Sequence, residues 1–563
     1  MRIIPHRRFT VAWLAALLFA AWPAFGANPA NEAVELPPVL VDEKRFPLQW
    51  LYVQVPGVEL LTTCSRAVAR EFMETYVRQE HLIRTLIPER YLATDIPISV
   101  LLIDAENAER LIDETMTKVL AEHTPRAVQR AGRTKVMPNI RLDDRDHSVV
   151  LSLRQRQFSS EVSFAFVSGR IAHLLDRLSP RPPPWLAAGL VGLYDQCIFG
   201  ENVIQVSPLV WSTPEATDKL KRELEWPRDV LPLPALFALL PETAQRAEIR
   251  RWREQAALFV RWALVADDES RAAGFWRFAD HCRERAPDEA IFRECFNMGY
   301  AEARDRISDY LPQATEETIL LEREPLKRLP LIQPRRATDL ESGRLRAEWA
   351  RMEAAYVRRH HPDHYPMYLR EARETVQRAR TAAGPVPELR ALSGLIAYAE
   401  EDWATAETEL EAAVAGGSPR PLAAYTLARL RWDEYRRNND NRPLDAAQTG
   451  FVLAPLQSAL RARPILPEVY GLFADVWLNT LLKPTAEDLA IAREGAQRFP
   501  ELAGVVARVA LLLMREVSLE AGREIIDDSL ARISEEPRRE LFQAIRKELV
   551  TLGEMAAASP DAH

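Results

Sequence analysis

The sequence predicts an α+β N-terminal domain, a small sheet with a helical lobe, followed by an all-α helical-repeat solenoid. Three observations predict it. Short runs rich in Val, Ile, Leu and Thr alternate with helical periodicity before residue 154. Pro325, Pro330 and Pro334 then interrupt any helix between Leu320 and Arg335. From Asp339 onward the pattern is helical throughout, and it repeats with an offset of 34 residues.

Length and composition bound the answer. The 563 residues suffice for two to four domains. With 47% hydrophobic and 27% charged residues, the chain has the make-up of a globular protein. The net charge of −8 argues against a nucleic-acid partner, which calls for a basic patch. Neither G-x-S-x-G, a P-loop nor G-x-G-x-x-G occurs, so no cofactor is expected.

The N-terminus reads as a secretory signal peptide over residues 1–26. Arg2, Arg7 and Arg8 form its basic region. Val11–Trp22 is an apolar run of 12 residues, too short to span a bilayer, and Ala24-Phe25-Gly26 supplies small residues for cleavage. The expectation is export to the periplasm or the extracellular space, with no transmembrane anchor in the mature chain. Residues 27–49 read as a loose lead-in.

Strands are expected at Leu51–Val55, Val58–Thr63, Ile96–Ile103 and His147–Leu153. A helix is expected over Ala67–Leu86, where Phe72, Tyr76, Ile83 and Leu86 share a stripe. Asp143, Asp144 and Asp146 read as a solvated acidic turn, because their spacing matches no known calcium loop. A further helix is expected over Ser160–Leu178, and helices over Glu254–His281 and Glu289–Leu311.

The segment from Gly169 to Tyr194, GRIAHLLDRLSPRPPPWLAAGLVGLY, is the most informative stretch. It resembles the active-site segment of gluzincin-type zinc metallopeptidases. Those enzymes carry H-E-x-x-H on one helix, with the histidines at i and i+4 as zinc ligands and the glutamate as base. A third ligand, a glutamate, follows in W-L-x-E-G-x-A-x-Y. Trp185, Leu186, Gly189 and Tyr194 keep this frame. Of the functional positions only His173 survives; Gly169, Arg170 and Ala188 stand at the first histidine, the base and the third ligand. The resemblance, over about residues 50–312, therefore implies the fold without catalytic residues or metal. One imidazole does not hold a catalytic zinc, and a guanidinium does not act as a general base. The alternative is an active zinc metallopeptidase with an atypical site.

Residues 313–338 read as a linker and 339–550 as the repeats, with a disordered tail at 551–563. Ala372, Val376 and Ala379 recur as Ala406, Leu410 and Ala413 at an offset of 34, and Gly394 recurs as Ala428. Val452, Leu456 and Ala459 give the next copy, and Tyr470, Phe473, Ala474 and Trp477 another first helix. This resembles tetratricopeptide repeats, about four of them, the last degenerate. Gly394 and Ala406 are the small residues that let paired helices approach, and Trp403, Leu410 and Ala413 should fill the seam. Such arrays bind peptides or proteins on a curved face; Arg390, Tyr425 and Arg429 are the candidate groove residues.

Two features remain. Four cysteines, Cys64, Cys197, Cys282 and Cys295, permit disulfides in an exported chain, and Cys282 with Cys295 is the best local pair. The alternative is four buried thiols. His360, His361, Asp363 and His364 cluster in a loop and read as exposed. The functional expectation is non-catalytic protein binding or scaffolding in the cell envelope. The sequence leaves the oligomeric state open.

Overall fold

The structure is a computed structural model that describes residues 48–92, 95–104, 107, 111, 139–154, 171–178, 180–211, 230–238, 244–265, 268–438, 442–533 and 536–558. The expected signal peptide and lead-in, most of the expected 160–178 helix, and Gly169 and Arg170 lie outside these residues.

The chain enters a hairpin of β1 (Leu51–Val55) and β2 (Val58–Thr62), turned through Gly57 at φ +82. Helix α1 (Arg66–Arg84) follows, started by Ser65, whose hydroxyl accepts from the Val68 amide. After a short helix, α2 (Glu89–Leu92), come β3 (Ile98–Asp104), β4 (Asn139–Asp143) and β5 (Ser148–Arg154). The sheet runs β4-β5-β3-β2-β1 and ends on β9 (Arg335–Arg336). β3 lies parallel to both β2 and β5; the remaining pairings are antiparallel. The alternation of β3 sorts its side chains: Ile98, Val100 and Leu102 join Met73 and Tyr76 of α1 in one core. Ser99 stands on the opposite face.

The helical lobe begins with α3, whose described part is residues 171–176. It continues through α4 (Pro184–Tyr194), the strands β6 (Cys197–Phe199) and β7 (Val203–Val206), and helices α5 (Leu233–Phe237), α6 (Arg246–Leu264), α7 (Glu269–Glu284), α8 (Glu289–Phe296) and α9 (Tyr300–Glu316). β8 (Ile319–Glu322) completes a three-stranded sheet β6-β7-β8. The two long helices expected from the sequence are each divided. Asp268 caps α7, and Asn297, in the left-handed region at φ 55, closes α8. Trp185 centres an aromatic core with Phe237, Phe259, Phe275 and Phe278. Gly189 lets α4 lie on α6: a Cβ there would meet Val260 Cγ2 at 2.4 Å and the Ala256 carbonyl oxygen at 2.6 Å. The expected linker is not a free tether, since β8 and β9 within it are hydrogen-bonded into the two sheets.

From residue 339 the described chain is helix pairs: α10 (Asp339–His360) with α11 (Tyr365–Ala383), α12 (Pro387–Ala399) with α13 (Trp403–Ala415), and α14 (Pro421–Asn438) with α15 (Ala446–Arg461). Then come α16 (Pro467–Leu478) with α17 (Ala486–Arg498), α18 (Ala503–Glu516) with α19 (Leu519–Arg532), and the final α20 (Glu536–Ala558). That is one pair more than the sequence count. The three second helices bury their matched residues: Ala372, Val376 and Ala379; Ala406, Leu410 and Ala413; Val452, Leu456 and Ala459. A Cβ on Gly394 would meet Leu410 Cγ at 2.6 Å, so the small residue sets the spacing of α12 and α13. Trp403 does not fill that seam: it is 40% exposed and lies against Tyr398. The expected tail is also corrected, because residues 551–558 continue α20, whose Phe542 and Leu549 are buried in the array core.

Candidate functional site

The histidine of the Gly169–Tyr194 segment is fully engaged. His173 is 1% exposed, and its Nδ1 lies 3.2 Å from Asp143 Oδ1. Ser148 Oγ donates to the same carboxylate at 2.6 Å and lies 3.4 Å from His173 Nε2. Burial pushes the His173 pKa down, more than the Asp143 contact raises it, so the ring is held neutral. Burial alone would raise the Asp143 carboxyl, but the bonds from His173 and Ser148 and the charge of Arg141 carry it well below the usual range. Ser, His and Asp meet here without access for a substrate: Ser148 has no exposed surface. The cluster ties α3 to the β4–β5 hairpin. Ala188 lies on α4, packed against the lobe core. Among the described residues no three His, Cys, Asp or Glu side chains converge as a metal site would need.

Cys282 and Cys295 are buried in the aromatic core as free thiols, so the expected pair is not bonded in this structure. Burial raises both thiol pKa values, which disfavours the thiolate.

The acidic turn is solvated only in part: Asp143 is exposed, but Asp144 and Asp146 are not. It inserts between the sheet and the array and forms a buried ionic knot. Arg420, in the loop before α14, grips Asp146 with two bonds, Nε to Oδ2 at 3.1 Å and Nη2 to Oδ1 at 2.9 Å. Its guanidinium also bonds Glu348 of α10. Arg351 joins Glu348 and Asp144. Asp146 further accepts from the Leu422 amide at 3.1 Å, placing a carboxylate at the N-terminus of α14. The knot extends inward: Ser99 Oγ donates to Glu59 Oε1 at 2.6 Å and contacts His147 Nε2 at 2.8 Å. Arg344 of α10 closes on Glu59 with both terminal nitrogens. Burial opposes the charge on Glu348 and Glu59, yet the facing guanidiniums prevail and both carboxyls stay below their ordinary range. Burial pushes His147 down, which keeps it neutral among these charges. Arginine suits this role because its planar fork satisfies two carboxylates at once.

Beside the knot lies a cleft of about 370 Å³ across α14, α16 and α18, the first helices of three successive pairs. Tyr425 and Arg429 line it, together with Glu468, Gly471, Leu472, Asp475, Glu501, Ala503 and Arg508. Arg390 is not among its lining residues; it bonds the Pro385 carbonyl and Glu409 instead. Arg508 pairs with Asp475 at 2.9 Å, and Arg429 with Asp433 at 2.8 Å. Arg145, from the acidic turn, reaches the rim, where its guanidinium lies 5.7 Å from the Tyr425 ring centre and 3.3 Å from Glu468. Sequence reasoning missed Arg420, Glu348 and Arg351, because the aspartates that Arg420 and Arg351 meet are more than 200 residues away and no spacing announces them.

No protein-family profile matches this chain, and no curated protein matches it. Among solved structures, the crystal structure of YrrB, described as a TPR protein with an unusual peptide-binding site, is similar to it. The match has 16% identity and a TM-score of 0.25, and covers 32% of this chain and 84% of that one.

Proposed function

We propose that this is an exported, non-catalytic binding protein. A degenerate gluzincin-type domain, about residues 50–312, carries a tetratricopeptide-like array, about 339–550, and the chain serves protein binding or scaffolding in the cell envelope. The observation that carries the reading is the cleft across α14, α16 and α18, which presents aromatic, charged and apolar side chains from successive repeats. The use of His173 as an internal tie and the residues at 169, 170 and 188 support the non-catalytic part.

Gly471 provides the test. A Cβ there would meet nothing closer than Arg508 Cδ at 3.9 Å, so Gly471→Leu fills the cleft without disturbing the core. The mature full chain, immobilised and exposed to an envelope extract, should retain specific partners that the Gly471→Leu chain releases. Equal capture by both would overturn the assignment of binding to this cleft.

A further inference from the structure

The charges of the cleft are unevenly answered. Its two cations are paired, Arg429 with Asp433 and Arg508 with Asp475. Its carboxylates are not fully satisfied. Glu468 Oε2 and Glu501 Oε2 are both shielded from water and have no hydrogen-bond partner. A buried oxygen of this kind is unfavourable until a donor reaches it. Burial pushes the Glu501 carboxyl up, against the lowering effect of a bond from its own backbone amide and of the charges of Arg181, Arg538 and Arg532. One end of the cleft already shows which donor it accepts. Arg145 sits there over the Tyr425 ring with its guanidinium against the other oxygen of Glu468. An aromatic face beside a carboxylate is the surrounding a guanidinium or ammonium group favours.

We propose that the cleft binds a peptide segment through a basic side chain, arginine or lysine, with Glu501 and Glu468 as acceptors and Tyr425 as the aromatic wall. Arg145 is then a built-in competitor at the rim. It is about half exposed and gives up only an exposed ion pair and its contact with the Tyr425 ring on leaving. This inference rests on the reading of the cleft as the binding surface and adds the chemistry it selects.

The test uses the mature full chain and two fluorescein-labelled heptapeptides, Ala-Ala-Arg-Ala-Arg-Ala-Ala and its counterpart with glutamate for arginine, read by fluorescence anisotropy. The arginine peptide should bind saturably and the glutamate peptide should not. Glu501→Gln should weaken binding about tenfold, the worth of a charged hydrogen bond. Arg145→Ala should strengthen it about threefold. Glu520→Gln, at an exposed position of α19, should leave it unchanged, and thermal melting should show every variant folded. Equal binding of the two peptides, or no effect of Glu501→Gln in a folded chain, would overturn the proposal. If the arginine peptide fails while Gly471→Leu still releases native partners, the cleft binds by other chemistry. If the peptide binds as described while capture ignores Gly471→Leu, the selectivity stands and the functional reading falls.

Discussion

Replacing Arg420 with alanine removes the cation that holds the acidic turn to the array. Its guanidinium is 14% exposed, and its two partners, Asp146 and Glu348, are 1% and 3% exposed. In the variant Asp146 keeps only the Leu422 amide as a described partner, and Glu348 keeps Arg351. Breaking a buried pair from one side typically costs about 3–5 kcal/mol, because the stranded carboxylate has lost its solvation and gained nothing. Two carboxylates lose their main cation here but each keeps one described partner, so Arg420→Ala belongs within that range rather than above it. Asp146→Asn retains an acceptor for Leu422 and should cost less, about 1–3 kcal/mol. Urea unfolding followed by tryptophan fluorescence measures both. The wild type should unfold with sheet and array together, whereas Arg420→Ala should release the array separately. A second readout is specific to the site. Arg420 helps hold the His147 pKa down, so its loss should move that pKa up in an NMR titration. A stability change below about 1 kcal/mol, the worth of an exposed pair, would refute the reasoning.

Stability should also fall with acid, in two stages. His147 and His173 have folded pKa values below the unfolded value of about 6.5, so the unfolded chain takes up their protons first and stability drops as pH falls below that point. Glu348, Glu59 and Asp144 are held below their ordinary range, so their contribution is complete above about pH 4.5 and is lost on further acidification; circular dichroism melts from about pH 2 to about pH 8 check both. Gly394→Leu should destabilise by about 1–3 kcal/mol by overpacking Leu410, measured by chemical denaturation. Elemental analysis of the purified mature chain should find no stoichiometric zinc, and one zinc per chain lost in His173→Ala would reverse the non-catalytic assignment.

The sequence disclosed what depends on local period. The β1, β2, β3 and β5 strands were readable from apolar runs, and the repeat helices from small residues such as Gly394 and Ala406, which must be small wherever two helices touch. β4, β6, β7, β8 and β9 were missed, because short strands that rely on partners elsewhere leave little local signal. The candidate site divides in the same way. Tyr425 and Arg429 could be named from the sequence because a repeat fixes which residues face outward on its first helices, and both line the cleft. The knot was not found: an Asp-rich turn and an arginine between two prolines, Pro419 and Pro421, look like loop chemistry until the fold brings residues 144–146 and 420 together. The lone His173 drew attention as a remnant ligand, yet its contacts make it an anchor between α3 and the hairpin.

The central claim is that the cleft of the array, not the Gly169–Tyr194 segment, meets the partner. A photo-crosslinking residue at position 429 of the full chain, expressed in its native cells, tests this most directly. Arg429 lines the cleft and is 39% exposed at its side chain, so the probe projects without displacing the core. Irradiation should yield a discrete adduct that disappears when Gly471→Leu is added. An adduct of undiminished yield in the filled-cleft chain would contradict the account.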